Sequence, residues 1–196
     1  MLFSTSHGDI NIANPLSWSA NMLTLSASEN INLNADLNAQ GSGSLALEYG
    51  QGSLAAGNTS LYALNGSQIN LSAGPNFSTK QGSDATVKNY TVLTALGMAG
   101  SVTGTDLQGM NGKLALNYAL GASIDAAATS TWNAGAGFVP VGDLSKSFTG
   151  AFDGLGHSIS NLTINQPTTD YIGLFGRAGS GSAIHNIGLV NASVSG

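Results

Sequence analysis

The side chains that could perform catalysis are few and scattered along this chain. Ten Asp plus Glu, five Lys plus Arg and three His occur among 196 residues, and there is no Cys. Glycoside hydrolysis needs two carboxyl groups across a cleft. Asp84 and Asp106 are separated by about one repeat of this chain, and Asp143 and Asp153 flank a Gly-rich segment, but none of the cations recurs beside such a pair as a lyase site would require. We therefore expect no catalytic residues, with a polysaccharide lyase or hydrolase as the alternative.

The remaining residue types also argue against metal, cofactor and nucleic-acid sites. His7, His157 and His185 are too far apart in sequence for a zinc-ligand spacing, and no Gly-rich calcium nonapeptide occurs. We expect no metal and no cofactor. A net charge of −5 with five cations cannot neutralise several phosphates, so we expect no nucleic-acid partner. No apolar run approaches the ~20 residues of a membrane helix, so we expect no membrane span.

The composition favours an all-β fold. Charged residues make up 8% of the chain, against about 25% in an average globular domain. The chain also has 27 Gly, each of which costs about 1 kcal/mol in a helix relative to Ala. The solvent-exposed surface must therefore consist of Ser, Thr, Asn and Gly, which are typical of strands and turns.

Short alternating segments recur at a nearly constant spacing. DINI at 9–12 returns as NINL at 30–33, and MLTL at 22–25 returns as SLAL at 44–47. The second series continues at intervals of about 22 to 24 residues, through QINL at 68–71, YTVL at 90–93 and KLAL at 113–116. Such a period predicts strands that recur once per repeat.

A closer match occurs near the end of the chain. The segment GHSISNLTIN at 156–165 overlays GSAIHNIGLVN at 181–191 with one inserted residue. This overlay equates Ile159 with Ile184 and Ile164 with Leu189, at the same offset for both pairs. We take about 21 to 25 residues as the expected repeat length.

These repeats predict a parallel β-solenoid over residues 1–196, with about eight or nine coils. A β-sandwich or barrel is the alternative, but those folds need hairpins rather than similarity between strands at this spacing. Asn30, Asn32, Asn34 and Asn38 are either side-chain ladders along the coils or ordinary polar turn residues.

The segment 126–157 is Gly-rich and contains four aromatic residues. We expect it to form a larger surface excursion, because function in solenoids often lies on such insertions. Trp132, Phe138 and Phe148 are the candidate contacts for a glycan or protein partner. A binding module that uses this excursion is therefore an alternative to a passive structural role.

Several segments resemble known surface proteins. Residues 8–50 resemble the repeat region of filamentous haemagglutinin-like exoproteins of Gram-negative bacteria, and residues 76–99 and 148–165 look like adjoining segments of these adhesins. Residues 173–196 are similar to the GLUG motif, in which a Gly-Leu-Phe-Gly run precedes an apolar strand pattern.

The resemblance implies a right-handed parallel β-helix, secretion through an outer-membrane partner (two-partner secretion), and a role in adhesion, biofilm formation or toxin presentation. It also implies a secreted or outer-membrane-associated location in a Gram-negative bacterium, and a ligand on a host cell, a glycan or a neighbouring cell. The chain departs from the complete pattern, because Asn14 and Pro15 are followed by Leu16 rather than Asn and no signal peptide is recognisable.

We therefore expect a noncatalytic shaft segment of a longer adhesin. Its expected parts are haemagglutinin-like coils at 1–125, the excursion at 126–157 and GLUG-like coils at 158–196. Coil ends without a polar cap would leave strand edges open, so end-to-end self-association is also expected.

Overall fold

The backbone consists of nineteen short strands joined by turns and loops. The computed structural model describes residues 1–196 and divides into two compact units, Met1–Val92 and Leu93–Gly196. The helical structure consists of 3₁₀ turns in Gln108–Gly112 and Ala127–Gly135, and the second segment is interrupted by a kink at Trp132–Ala134. No helix is both long enough and apolar enough to cross a membrane.

In the first unit the chain runs three times through three parallel sheets in the same order. We call each of these runs a passage. The sheets have the strand orders β1-β4-β7-β10, β2-β5-β8 and β3-β6-β9. The strands are β1 Leu2–Ser4, β2 Ile10–Ile12, β3 Leu16–Trp18, β4 Met22–Ser26, β5 Ile31–Leu33, β6 Leu37–Ala39, β7 Ser44–Tyr49, β8 Tyr62–Ala63, β9 Ile69–Asn70 and β10 Gly74–Gln81.

The two earliest sequence repeats are confirmed as neighbouring strands. Ile10 of β2 pairs with Ile31 of β5, and Leu23 of β4 pairs with Leu45 of β7, each at the offset that the sequence repeat predicts. The third passage is longer, because Leu45 pairs next with Phe77 of β10 and the loop at 50–61 lies between them. The predicted repeat length of about 21 to 25 residues is therefore wrong beyond β7.

The later members of the predicted series belong to other structures. QINL contributes β9, where Ile69 pairs with Leu37 rather than with the SLAL strand. YTVL lies in β11, Lys88–Leu93, which runs antiparallel to β10 and pairs Tyr90 with Phe77. KLAL at 113–116 forms turns rather than a strand, and its last residue, Leu116, is 45% exposed.

The core of the first unit follows from the alternation within its strands. Leu25 and Leu47 pair in register and are fully buried, as are Ile31 and Leu37 on the other two sheets. Strand residues alternate between two faces, so the positions between these residues point outward. The outward positions are mainly Thr, Ser and Asn, which explains how the surface stays polar with so few charged residues.

Asparagine ladders run along the outer surface of the first unit. The Nδ2 atom of Asn32 donates to Oδ1 of Asn11 at 3.0 Å, and that of Asn70 donates to Oδ1 of Asn38 at 2.9 Å. Asn65 bonds Asn34 in the same way at 3.0 Å. Asn32, Asn34 and Asn38 each bond an Asn of a neighbouring passage, as the ladder interpretation predicts, whereas Asn30 donates to Asp9 and accepts from the Leu61 N–H.

The second unit also has three sets of parallel strands. Their orders are β12-β14-β17, β13-β15-β18 and β16-β19. The strands are β12 Tyr118–Leu120, β13 Ile124–Asp125, β14 Ala151–Asp153, β15 Ser158–Ser160, β16 Thr163–Asn165, β17 Ala183–His185, β18 Gly188–Val190 and β19 Ser193–Ser195.

The overlay of 156–165 on 181–191 is corrected by this register. Ile159 pairs with Leu189 rather than with Ile184, and Ile164 pairs with Val194 rather than with Leu189. Ile184 pairs instead with Phe152. The overlay therefore matched β15 with β17, which lie in different sheets. This mismatch arose because β16 follows β15 at the same interval at which β18 follows β17.

Aromatic rings fill the core of the second unit. The ring centroid of Phe148 lies 6.4 Å from that of Tyr118 and 5.0 Å from that of Phe175, and the Phe152 centroid lies 5.2 Å from that of Phe175. Both units are thus all-β and built mainly from parallel sheets. The division at residues 125 and 157 stays a prediction.

Candidate functional site

The three predicted partner contacts do not form a surface cluster. Phe138 and Phe148 are fully buried in the core of the second unit, so the expectation that they contact a partner is corrected. Trp132 is half-buried and packs against that same core. The excursion at 126–157 folds back over the sheets, because its large aromatic side chains gain more by burial than by exposure.

A cleft of about 360 Å³ opens on the second unit. Three loop regions line it: the 3₁₀ segment Gln108–Gly112 with the residues after it, the loop before β14, and the loop after β16. Leu114, Val139 and Pro140 form apolar walls. The polar lining residues are Asn111, Asp143, Lys146, Gln166, Thr169, Asp170 and Tyr171.

Side-chain amides hold one wall of the cleft in place. Gln108 accepts a hydrogen bond from the Val139 N–H at 3.0 Å and donates to its carbonyl at 3.1 Å. Asn111 donates to the Pro140 carbonyl at 3.1 Å and accepts from the Gly142 N–H at 3.0 Å. These bonds satisfy backbone groups of Val139, Pro140 and Gly142, while Val141 between them pairs with Phe175 in an isolated parallel β-bridge.

Asp143 begins a tight turn at the rim of the cleft. Its Oδ1 accepts from the Ser145 hydroxyl at 2.6 Å and from the backbone N–H groups of Ser145 and Lys146 at 2.7 and 2.8 Å. The Ser145 hydroxyl, followed by these N–H groups, holds the pKa of Asp143 below its ordinary value. The carboxylate therefore stays ionised, and its Oδ2 makes no hydrogen bond within the chain.

Four polar groups that line the cleft, on both of its sides, have no hydrogen-bond partner within the chain. The Lys146 ammonium, the Asp170 carboxylate and the hydroxyls of Thr169 and Tyr171 make no hydrogen bond or salt bridge. Tyr171 is 49% exposed and has φ +62°, in the left-handed region that a bulky side chain rarely adopts. Such a conformation costs about 1–3 kcal/mol and is found disproportionately where a side chain is presented to a ligand.

Asp153, one of the acidic residues considered for the enzyme alternative, lies in the interior instead of a cleft. It is fully buried, and its Oδ1 accepts from the Leu155 N–H and from Asn186 Nδ2, each at 3.0 Å. Nδ1 of His185 lies 3.5 Å from the same oxygen. Burial raises the pKa of Asp153, opposed by His185 and these donors. A polysaccharide cannot reach this carboxyl group.

Asp84 and Asp106 both stabilise loops, Asp84 by bonding another loop and Asp106 within its own. Asp84 accepts from the Ala55 N–H at 2.6 Å. Asp106 accepts from the Gly109 N–H at 2.7 Å and from the hydroxyls of Ser101 and Thr103. No group of three or more His, Cys, Asp or Glu residues is close enough to hold a metal ion.

Another cavity, of about 340 Å³, lies at the first strands of the first unit. It is lined by side chains of β1, β2 and β3, including Phe3, Ile10, Ile12 and Leu16. Each of these strands pairs with one neighbour only, so its second edge is open. The cavity is therefore bordered by apolar side chains and by the unpaired edges of these three strands.

Sequence reasoning missed the residues of the cleft on the second unit. Tyr171 and Asp170 follow β16 in a polar stretch without repeat character, which gave no reason to select them. The available signal was the long interval from 166 to 182 between two strands. Intervals of this length in a repeat structure mark loops that leave the sheets.

Comparison with known proteins gives one partial likeness. The chain is 46% identical over 101 residues to halomucin from Haloquadratum walsbyi, a match that covers 46% of this chain and 1% of that protein. The chain thus spans about one hundredth of the length of this relative. No known protein family matches the chain, and no solved structure does.

Proposed function

We propose that the chain is a noncatalytic shaft segment of a secreted, cell-surface adhesin, folded as a right-handed parallel β-helix. The observation that carries this proposal is the repeated passage of the first unit through three parallel sheets in the same order. Passage after passage, apolar residues of matching strands stack into one core. A coil of this kind cannot bury its apolar face alone and stabilises its neighbours.

The proposed role is mechanical. Within a unit, each passage is joined to the next by backbone hydrogen bonds on three sides, and the Asn ladders add side-chain bonds along the same direction. Bending such a stack would break several bonds at once. Each such stack would therefore resist bending and help to hold a distal domain of an adhesin away from the cell.

The absence of catalysis is part of the proposal. A glycosidase needs a carboxylic acid whose pKa is raised and which touches the substrate. Asp153 is the buried carboxyl with a raised pKa, but it is enclosed by the core, whereas the hydroxyl and N–H donors around Asp143 keep that carboxylate ionised. Release of reducing ends from a polysaccharide by the purified chain would contradict this part.

The proposed location rests on two likenesses. The chain resembles haemagglutinin-like exoproteins, and it is similar over part of its length to halomucin, a cell-surface protein of an archaeon. Both support a surface protein. Secretion through an outer-membrane partner in a Gram-negative bacterium, and a ligand on a host or neighbouring cell, come from the first resemblance. Expression of the chain in its parent protein with and without the candidate secretion partner, followed by surface labelling, tests this route.

Deletion of one complete passage tests the β-helix directly. Removing residues 22–43 brings Ser44 to the position of Met22, because these two residues are register partners in β4 and β7. We expect this variant to keep its β-type circular dichroism and its cooperative unfolding. Removing only 22–32 is the matched control, and it should unfold the first unit because the remaining strands then fall into the wrong sheets. Equal effects of both deletions would contradict the fold.

Pulling the chain between its termini tests the shaft role. A folded stack resists extension until a coil detaches, and then releases chain abruptly. A flexible linker lengthens gradually from the lowest force. Gradual extension of this chain would contradict a mechanical role even if the β-helix itself were correct.

End-to-end association is the proposed use of the open strand edges. The unpaired edges of β1, β2 and β3, with the apolar cavity between them, would accept strands of a second copy. Sedimentation velocity should then show association that rises with concentration and that Phe3→Lys weakens. Strictly monomeric behaviour at high concentration would refute it.

A further inference from the structure

Unpaired polar groups and one exposed aromatic ring converge on the cleft of the second unit. The hydroxyl of Tyr171, the carboxylate of Asp170 and the ammonium of Lys146 all line this cleft without a hydrogen-bond partner in the chain. A polar group on an ordinary surface is solvated and needs no explanation. Several of them around a concave site of about 360 Å³, one wall of which is held by side-chain hydrogen bonds, match the arrangement of a small-ligand site.

We propose that this cleft binds a neutral oligosaccharide, with Tyr171 as the stacking surface and Asp170 as the principal hydrogen-bond acceptor. A sugar ring has an apolar face that can stack on an aromatic ring, and hydroxyls that can donate to carboxylates and accept from an ammonium. The cleft offers these three features together. Hydrogen bonds to ionised groups are about twice as strong as neutral ones, so they would fix the orientation of the sugar.

Charge and geometry select a neutral sugar over other ligands. Asp143 and Asp170 place two carboxylates in the cleft against the single cation Lys146, which disfavours an acidic saccharide. A peptide would be expected to pair with an open strand edge or to fill a row of apolar pockets. The lining residues of this cleft belong to loops and a 3₁₀ turn, and they offer no strand edge.

The cleft also changes what the segment 126–157 contributes to binding. Val139, Pro140, Asp143 and Lys146 from this segment line one side, in place of the buried Phe138 and Phe148. The saccharide proposal does not depend on the shaft proposal. A segment that fails the mechanical test could still bind sugar, and a passive shaft would bind none.

The test begins with the purified chain on an array of immobilised neutral and acidic oligosaccharides. Calorimetry with the most strongly retained neutral oligosaccharide then compares the wild type with Tyr171→Ala, Asp170→Asn and Tyr171→Phe. We expect the first two variants to bind at least about tenfold more weakly, because each loses the stacking surface or a charge-assisted bond. Tyr171→Phe keeps the stacking ring and should bind within about threefold of the wild type.

Glu29→Gln is the matched control, since Glu29 is a carboxylate of the first unit whose side chain makes no hydrogen bond. It removes the same charge as Asp170→Asn and should leave affinity unchanged. Circular dichroism checks that each variant is folded. Absence of saccharide binding, preference for acidic saccharides, binding of immobilised peptides alone, or equal affinity of all variants would each overturn the proposal.

Discussion

Leu47 offers the sharpest test of how stacked strands share their stability. It is fully buried in β7 and pairs in register with Leu25 of β4 on one side and Thr79 of β10 on the other. Replacement by Ala removes three carbon atoms from contact with both neighbouring strands. Burial of a Leu side chain is worth about 1.5–3 kcal/mol, and the cavity left behind adds to the loss. We therefore expect Leu47→Ala to cost about 3 kcal/mol.

Hydrogen exchange measured by mass spectrometry reports this cost strand by strand. A loss of about 3 kcal/mol in local opening free energy speeds exchange by roughly 100-fold. The acceleration should appear in peptides from β7 and also from β4 and β10, because stacked repeats depend on their nearest neighbours. Urea denaturation of the same variant should show the destabilisation as a lower midpoint.

Leu61→Ala is the control for this experiment. Leu61 is 51% exposed, and it contributes to the structure through its backbone, which bonds Asn30 and Ile31. Its replacement should change stability by less than about 0.5 kcal/mol. A cost below about 1 kcal/mol for Leu47→Ala, or faster exchange confined to β7, would refute the nearest-neighbour reasoning.

Three further tests probe the second unit. Burial raises the pKa of Asp153 above 3.8, so the stability that this carboxyl group contributes is full below pH 3.8 and is lost as the pH rises through its folded-state pKa. From pH 4 to 7 the urea midpoint of the wild type should therefore fall relative to that of Asp153→Asn. A difference between the two midpoints that stays constant with pH would contradict this expectation. A Cβ on Gly154 would overlap the Asn186 carbonyl, whereas one on Gly188 would lie 3.5 Å from Ser158, so thermal melts should show a large loss for Gly154→Ala and little for Gly188→Ala. Asn161 has φ +57°, so Asn161→Val should lower the free energy of unfolding by about 1–2 kcal/mol in denaturant titrations, and by more than Asn161→Gly. Equal losses for the two variants would show that the bond of Asn161 to Asp125 matters and that its backbone conformation does not.

The sequence predicted the strands best where corners keep a constant length. DINI at 9–12 and NINL at 30–33 pair as expected, because the corners between them have no insertions. After β7 the chain inserts the loop at 50–61, and a strand at the expected spacing then belongs to another sheet. Sequence spacing alone cannot show whether two similar strands lie in the same sheet or in neighbouring sheets, because the strands of all three sheets carry the same alternating pattern.

The candidate site was harder to predict from the sequence, because the burial of each aromatic side chain decides whether it can contact a ligand. Phe138 and Phe148 stand in a Gly-rich segment that looks like an exposed loop, but the core of the second unit has room for both rings. Tyr171 is exposed through its backbone conformation, which no local sequence pattern signals. The all-β class depends on composition and short-range pattern, so it could be predicted, whereas the Asn residues left side-chain ladders and polar turns as alternatives.

The unequal corners of the first unit bear on how such a chain can diversify. The interval at 27–30 joins β4 to β5, and the interval at 50–61 joins the next strands of the same two sheets, yet the pairing of Ile31 with Tyr62 is kept. Doubling a flexible loop costs only about 0.6 kcal/mol in closure entropy. Insertions at corners therefore cost little stability, whereas substitutions of the buried residues in the paired strands cost more. Lineages that share this architecture would be expected to differ mostly in what their corners carry.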